Sequence, residues 1–261
     1  MKPSEIIDVE HARHLPGLRL VLTQGVPGPW GEAAKGIFQA KGLPFVRVRQ
    51  EGGGENAALR EWTAQTSAPV AAWNDEPPRT TSFGILFLAE RLAPEPRLVP
   101  EDAAERVLVL GTCREIVGEQ GLGWCRRLMI FGQMLSSLPE GVDAPEGVAR
   151  MCAKYGWSKA AAAAAPARIE GILRVLDDRL REQEERGREW LFGEAPTAAD
   201  VYWAAFAAMF EPLPEDVCPM PRSVRKLYRV TEPALRRLVE PRLLGLRDRV
   251  YDRLLELPLE F

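Results

Sequence analysis

The sequence has few of the residues on which metal sites and nucleophilic sites depend. Among 261 residues there are two histidines, His11 and His14. The four cysteines are Cys113, Cys125, Cys152 and Cys218. They are far apart and form no C-x-x-C pair, so we expect buried, reduced packing residues. A metal site built from both histidines and Glu10 is less favoured than a loose N-terminal segment. Catalytic triads that use histidine are not predicted.

Long apolar runs, an excess of one charge and phosphate-binding loops are also missing. No apolar run approaches the roughly 20 residues of a membrane span, and the first ten residues lack the apolar core of a signal peptide. The net charge is −3, which gives no electrostatic reason to bind nucleic acid or an anionic membrane. "EGGGEN", Glu51 to Asn56, lacks the Lys-Ser/Thr of a phosphate loop. These absences favour a cytoplasmic globular protein.

The pattern of apolar residues changes along the chain. Up to about residue 92, short apolar runs typical of strands alternate with amphipathic helical segments. A strand, a helix and a strand with short connections predict a parallel crossover. A proline-rich stretch follows, and everything after it has a helical pattern. The predicted organisation is an N-terminal extension over 1–17, an α/β domain over 18–92, a linker over 93–102 and an all-helical domain over 103–261.

The sharpest local signal lies in "FGEAPTAADVYWAAFAAMF", Phe192 to Phe210. Thr197 and Asp200 have the spacing of a capping box, in which each side chain satisfies a backbone N–H of the other residue. The residues that follow are almost wholly apolar, which predicts a helix buried in the middle of its domain. Because water cannot reach the start of such a helix, its free N–H groups need internal partners. We therefore predict a structural role for this box.

In their order and spacing, four motifs resemble the glutathione transferase superfamily. They are "KGLPF" from Lys41, "SAPVAAW" from Ser67, "TSFGILFLAERL" from Thr81 and "GEAPTAADV" from Gly193. The resemblance covers nearly the whole chain from residue 18. It implies a thioredoxin-like domain of βαβ and ββα units followed by an all-helical domain. It also implies a homodimer and glutathione as co-substrate, with no metal.

The resemblance implies a set of glutathione-binding positions. Ala68–Pro69 matches a cis peptide, and the backbone of Ala68 would pair with the cysteinyl part of glutathione. Ser82 matches the serine at a helix start that binds the γ-glutamyl carboxylate. Thr81 stands where the family has an acidic residue that holds the α-amino group. Arg79 is close enough in sequence to contact an anionic ligand.

The catalytic position departs from the family pattern. Relatives place a serine or cysteine at the start of the first helix of this domain, or a tyrosine at the end of the first strand. Here "GPWG", Gly28 to Gly31, occupies the serine or cysteine segment, which disfavours thiol–disulfide chemistry. The tyrosine position falls near Thr23 or Gln24, either of which could hydrogen-bond a thiolate. Backbone N–H groups near Trp30 and Gly31 are the other candidates.

Two functions are consistent with this pattern. The first is a glutathione-dependent transferase that acts on a hydrophobic electrophilic small molecule. The wall of its acceptor site, between the domains, would include Trp30, Trp124, Met129 and Phe131. The second is a non-catalytic protein that keeps the fold and binds a ligand or a protein partner. The missing serine or cysteine and the change to Thr81 motivate the second function.

Overall fold

The structure is a computed structural model that describes residues 6–239 and 241–261. In the first part of the chain, three strands alternate with four helices. These elements are α1 (Val9–Ala12), β1 (Leu18–Thr23), α2 (Pro29–Ala40), β2 (Val46–Gln50), α3 (Ala57–Thr63), β3 (Val70–Trp73) and α4 (Ser82–Leu92).

The remainder of the described chain is helical. Its elements are α5 (Ala103–Val117), α6 (Leu122–Ser136), α7 (Glu146–Lys154), α8 (Lys159–Glu185), α9 (Ala198–Ala207), α10 (Arg222–Tyr228), α11 (Pro233–Val239) and α12 (Arg242–Leu254). The predicted fold class, a thioredoxin-like domain followed by an all-helical domain, is confirmed. Among the described helices, none combines the length and the apolar character needed to cross a bilayer.

The strands form one sheet in the order β2-β1-β3, with β2 parallel and β3 antiparallel to β1. Strand β1 is buried on both faces because its apolar residues alternate between two cores. Leu20 packs in the main core with α2 and α4, whereas Val21 packs with α1 and α3. Within the described residues, the second strand of the expected ββα unit is reduced to a single bridge between Ala71 and Arg79.

The expectation of a loose N-terminal segment is wrong for residues 6–17, and residues 1–5 lie outside the described part. Ile7 forms a parallel bridge with Val48. Val9 and Ala12 of α1 are buried against the second core. This segment is ordered because Val21 and Val48 present an apolar sheet face that has to be covered.

Helix α9 lies at the centre of the helical domain, and all ten of its residues are buried. Helices α2, α5 and α12 pack around it. The predicted capping box is confirmed at its start. The Asp200 carboxylate accepts hydrogen bonds from the Thr197 N–H at 2.8 Å, the Thr197 hydroxyl at 2.9 Å and the Leu191 N–H at 2.8 Å. One carboxylate therefore satisfies the helix start and the loop that leads into it.

The C-terminal residues bind the first domain. Lys35 on α2 donates to the backbone carbonyl of Glu260 at 2.9 Å, and Arg47 on β2 forms an ion pair with the Glu260 carboxylate. The alternation in β2 predicts a half-exposed strand, but Arg47 is buried because this carboxylate covers it. The described chain thus closes on its own first domain.

Candidate functional site

The predicted glutathione-binding positions border one edge of the sheet. Strand β3 runs antiparallel to β1 with Val70 opposite Val21, and Ala68 precedes that pair by two residues. On the other side of β3, Ala71 forms a bridge with Arg79, three residues before Ser82 opens α4.

Ala68 offers an unused stretch of backbone. The Ala68–Pro69 peptide is cis, and Ala68 is half-buried. Among the described residues, none forms a backbone hydrogen bond with its N–H or C=O. An extended ligand can therefore pair with both groups in the manner of an added strand.

The start of α4 presents hydrogen-bond donors to the same edge. Thr81 is the N-cap, because its hydroxyl accepts the N–H of Gly84 at 3.0 Å. Ser82 is the first helical residue and is half-buried, and its carbonyl accepts from the Tyr202 hydroxyl at 3.1 Å. The first N–H groups of a helix have no acceptor within the helix and favour an anion. A carboxylate bound here would meet these N–H groups and the Ser82 hydroxyl.

The side chain of Arg79 forms hydrogen bonds with residues close to it in sequence. Its guanidinium donates to the Glu76 carboxylate at 2.8 Å and to the Pro77 carbonyl. Arg91 binds the same carboxylate at 2.6 Å, and these bonds lower the pKa of Glu76, with that of Arg91 contributing most. Contact of Arg79 with an anionic ligand would have to compete with this ion pair.

The start of α2 has no side-chain donor. Gly28 is the N-cap and supplies no side-chain hydrogen bond, and Pro29 opens the helix. Nothing within 4 Å would meet a Cβ at Gly28, whereas a Cβ at Gly31 would lie 3.2 Å from Cδ2 of Leu22. The helix begins at Pro29 because proline has a helical φ and lacks the N–H that the first turn would leave unpaired. The N–H groups of Trp30 and Gly31 are the donors at this position.

Thr23 and Gln24 differ in how available their side chains are. The Thr23 hydroxyl donates to the side-chain oxygen of Gln50 at 2.7 Å. Gln50 is buried, and its amide nitrogen donates to the Thr66 carbonyl at 3.1 Å, which fixes the orientation of the amide. The single hydroxyl proton of Thr23 is therefore in use. Gln24 is exposed and is anchored through its backbone N–H.

Three of the four predicted wall residues surround a tyrosine that the sequence analysis missed. The ring centroid of Tyr155 lies 4.5 Å from that of Trp124, 5.5 Å from that of Phe131 and 5.9 Å from that of Trp30. Trp124 and Phe131 share a face of α6 because they are seven residues apart. Met129 is instead buried in the main core. Tyr155 ends α7, and no local pattern connects that position with α6.

Arg127 and Tyr228 are the other residues that sequence reasoning missed. The Arg127 Cζ lies 5.8 Å from the ring centroid of Trp30 and 5.8 Å from that of Tyr228. Arg127 lies between Trp124 and Phe131 on one face of α6, at spacings of three and four. In the sequence, the signal for Arg127 was a charged residue on the apolar side of a helix. We call Trp30, Trp124, Arg127, Phe131, Tyr155 and Tyr228 the Arg127 cluster.

Helix α7 packs beside the predicted glutathione-binding edge. Arg150 donates to the Gly53 carbonyl at 2.9 Å, and Lys154 donates to the Ser67 hydroxyl at 2.6 Å. Gly53 has φ +76°, and a Cβ there would lie 3.2 Å from the Cα of Gly147. Glycine is thus needed at this contact, both for the backbone angle and for the close approach. Helix α7 therefore contacts both the loop before α3 and Ser67, the residue before Ala68.

The cysteines do not contribute to this edge. All four are unpaired. Burial raises the pKa of Cys218 to about 11 and raises that of Cys113 further. In the described part of the chain, no group of three or more His, Cys, Asp or Glu residues could hold a metal ion.

Sequence and structure comparisons agree on the kind of domain present. Residues 159–254 match the family model "Glutathione S-transferase, C-terminal domain". No curated protein sequence matches the chain. Among solved structures, a glutathione S-transferase from Methylobacterium radiotolerans in complex with glutathione sulfonate is similar. It has 21% identity and a TM-score of 0.57, over 90% of this chain and 91% of that one.

Two further structures have the same architecture. A glutathione S-transferase from Xanthobacter autotrophicus has 20% identity and a TM-score of 0.56, over 90% of this chain and 93% of that one. Ure2p in complex with glutathione has 14% identity and a TM-score of 0.61, over 92% and 96% of the two chains. At these identities the similarity establishes the fold.

Proposed function

We propose that the chain, whose residues 159–254 match a glutathione S-transferase C-terminal domain, transfers glutathione to an electrophilic small molecule. The observation that carries the proposal is the unused backbone of Ala68 just before β3, the strand whose bridge to Arg79 leads into the start of α4. The free backbone of Ala68 would pair with the cysteinyl part of glutathione. The start of α4 would bind the γ-glutamyl carboxylate through N–H groups and the Ser82 hydroxyl.

We propose that backbone N–H groups stabilise the thiolate. Glutathione bound between Ala68 and Ser82 would place its sulfur near the start of α2, where Trp30 and Gly31 present free N–H groups. The thiol would lose its proton to solvent, the sulfur would form a bond to the electrophilic carbon, and the leaving group would depart with the electron pair of the broken bond. Thr23 is a weaker candidate because its proton is bound by Gln50.

Two neighbouring substitutions should move glutathione affinity in opposite directions. Ser82→Ala removes one hydrogen bond to the carboxylate and should weaken binding about tenfold. Thr81→Asp keeps an N-cap oxygen for Gly84 and adds a carboxylate for the α-amino group, so binding should tighten about tenfold. Isothermal titration calorimetry with glutathione measures both affinities.

Ser136→Ala, an exposed serine at the end of α6, is the matched control and should leave the affinity unchanged. The absence of binding to wild-type protein at millimolar glutathione would overturn the proposal. Equal affinities of the wild type and Ser82→Ala for glutathione would show that the Ser82 hydroxyl does not contribute to binding.

A second function is a ligand-binding or protein-interaction role without catalysis. One observation favours it: the start of α2 supplies no side-chain donor, and the Thr23 hydroxyl is already bound. Glutathione binding without conjugation across a panel of electrophiles would support this role, whereas turnover would exclude it.

We also propose a homodimer. Helices α5 and α8 line a groove of about 320 Å³, beside which Val107, Leu108 and Val175 are 70%, 52% and 63% exposed. Exposed apolar residues grouped along a groove are typical of an interface.

Replacing both Val107 and Leu108 by aspartate should convert the dimer into a monomer, because two charges would be buried without partners. Sedimentation equilibrium measures the mass. Val142→Asp, at a residue that is 54% exposed outside this groove, should leave the dimer intact. A wild type that sediments as a monomer would contradict the proposal.

A further inference from the structure

Arg127 is a half-buried cation held between aromatic rings. Its guanidinium carbon lies 5.8 Å from the ring centroids of both Trp30 and Tyr228. Burial lowers the pKa of Arg127, whereas interactions with the phenols of Tyr228 and Tyr155 raise it by more. Trp124, Arg127 and Tyr155 are each half-buried, so this side of the cluster borders solvent.

The charge of Arg127 has no carboxylate partner in the described part of the chain. The titratable groups that act on it there are Tyr228 and Tyr155. Arg47 and Arg247 pair with Glu260 and Asp248, whereas Arg126, which also has no carboxylate partner among the described residues, donates to three backbone carbonyls. Removing a cation from water without an anion is unfavourable. An unneutralised guanidinium at this depth is therefore suited to an anionic ligand.

Tyr155 and Tyr228 are placed to add donors to the same anion. Both phenols interact with Arg127, and a phenol O–H can donate to an anion bound there. Burial raises the pKa of Tyr155, against the opposing effect of Arg127, which keeps the phenol protonated at neutral pH. A carboxylate held by a guanidinium and two phenols would have several charge-assisted hydrogen bonds.

The rest of the cluster is apolar and flat. The Tyr155 ring lies 4.5 Å from that of Trp124 and 5.5 Å from that of Phe131, and Trp30 connects the cluster to the first turn of α2. Aromatic rings that line a site favour a flat aromatic ligand through offset or edge contacts. A ring bound here would lie near the N–H groups that we assign to the thiolate.

We propose that the Arg127 cluster binds an aromatic carboxylic acid, with its carboxylate on Arg127, Tyr155 and Tyr228 and its ring beside Trp124. This inference rests on the proposed function, for which it names the acceptor class. In the reaction, the glutathione sulfur would form a bond to an activated ring carbon. The halide on that carbon would leave with its bonding electrons, and the thiol proton would pass to solvent.

The test compares probes that differ in charge and not in shape. Binding of 3-nitrobenzoate and of 3-nitrobenzamide, neither of which reacts with glutathione, is measured by quenching of tryptophan fluorescence. We expect wild-type protein to bind the carboxylate at least tenfold more tightly than the amide. Arg127→Met should abolish this preference, and Tyr155→Phe, which keeps the ring, should reduce it about threefold.

Arg174→Met is the control for loss of an exposed arginine and should keep the preference. Circular dichroism shows whether Arg127→Met folds. If it does not, Arg127→Lys, which keeps a charge at the same position, tests the site. The ammonium group of the Arg127→Lys variant cannot form a bidentate contact, so its preference should fall between that of the wild type and none. Equal affinities of wild type for both probes, or a preference that survives Arg127→Met, would overturn the inference.

Turnover separates this inference from the proposed function. Conjugation of 4-chloro-3-nitrobenzoate is compared with that of 4-chloro-3-nitrobenzamide, each relative to its uncatalysed rate. Selective binding of nitrobenzoate without turnover of either chloride would refute the transferase and retain the acid site. A different result would be that Arg127→Met changes the pKa of the bound glutathione thiol and leaves the preference for the acid intact. That result would show that the cluster stabilises the thiolate, and it would overturn the inference.

Discussion

Replacing Asp200 by alanine is expected to lower the free energy of unfolding by about 3 kcal/mol. The substitution leaves the N–H groups of Leu191 and Thr197 without acceptors at a position that water does not reach. Asp102 is the matched control, because it is exposed and caps α5 by accepting the N–H of Glu105 at 2.9 Å. Its replacement by alanine should cost about 1 kcal/mol, since water can replace the cap.

Urea denaturation followed by circular dichroism measures both losses. Equal losses for the two alanine variants would show that burial adds nothing to the cap of α9, contrary to the hydrogen bonding described above. The comparison is informative because both carboxylates accept backbone N–H groups at helix starts, whereas Asp200 is buried with three hydrogen bonds and Asp102 is exposed with one.

The same carboxylate should give stability a pH dependence of defined sign. Burial raises the pKa of Asp200 to about 6, although hydrogen bonds from Leu191 and Thr197 lower it. In the unfolded chain the pKa returns to about 4, so between these values the folded state holds more protons. The contribution of Asp200 to the unfolding free energy therefore falls as pH rises from about 4 to 6, by at most about 3 kcal/mol. Asp200→Asn should remove this slope.

Replacing Arg126 by methionine is expected to lower the free energy of unfolding by about 3 kcal/mol. The guanidinium is fully buried. It donates to the carbonyls of Met209 at 2.8 Å, Leu227 at 2.9 Å and Tyr228 at 3.1 Å. Burial lowers the pKa of Arg126 to about 10, so it is still charged at neutral pH. Methionine fills similar space and leaves three carbonyl groups without a donor.

The control for Arg126 is Arg174→Met, because Arg174 is exposed and pairs with Glu170 on the same helix. Its loss should change stability by less than about 0.5 kcal/mol. Chemical denaturation measures both variants, and a loss as small as that of the control would contradict the structural role of Arg126. Since Arg126 holds the backbone of Tyr228, its replacement should also weaken binding of 3-nitrobenzoate.

Features that depend on neighbours in sequence could be predicted from the sequence. The capping box needs only the spacing of Thr197 and Asp200, and the buried character of α9 follows from its apolar composition. The strand order could be predicted in part, because short connections bring β1 and β2 together in parallel. The reduced last strand could not, because its length depends on pairing with β3 and not on its own residues.

The candidate site shows the limit of such reasoning. Thr23 carries the right group for a thiolate donor, but its proton is taken by Gln50, 27 residues away. The positions of Tyr155 and Tyr228 beside Arg127 depend on how α7 and α10 pack against α6. Spacing along the chain cannot show which of several aromatic residues will surround a charge, because that choice is made by tertiary packing.

The ion pair between Arg47 and Glu260 has a consequence for the order of events during synthesis. Glu260 follows Arg47 by 213 residues and Lys35 by 225. At the usual rates of translation, Glu260 would be synthesised about 10 to 40 s after these two cations. Both contacts between Glu260 and the first domain therefore form only after the helices from α5 to α12 have been made.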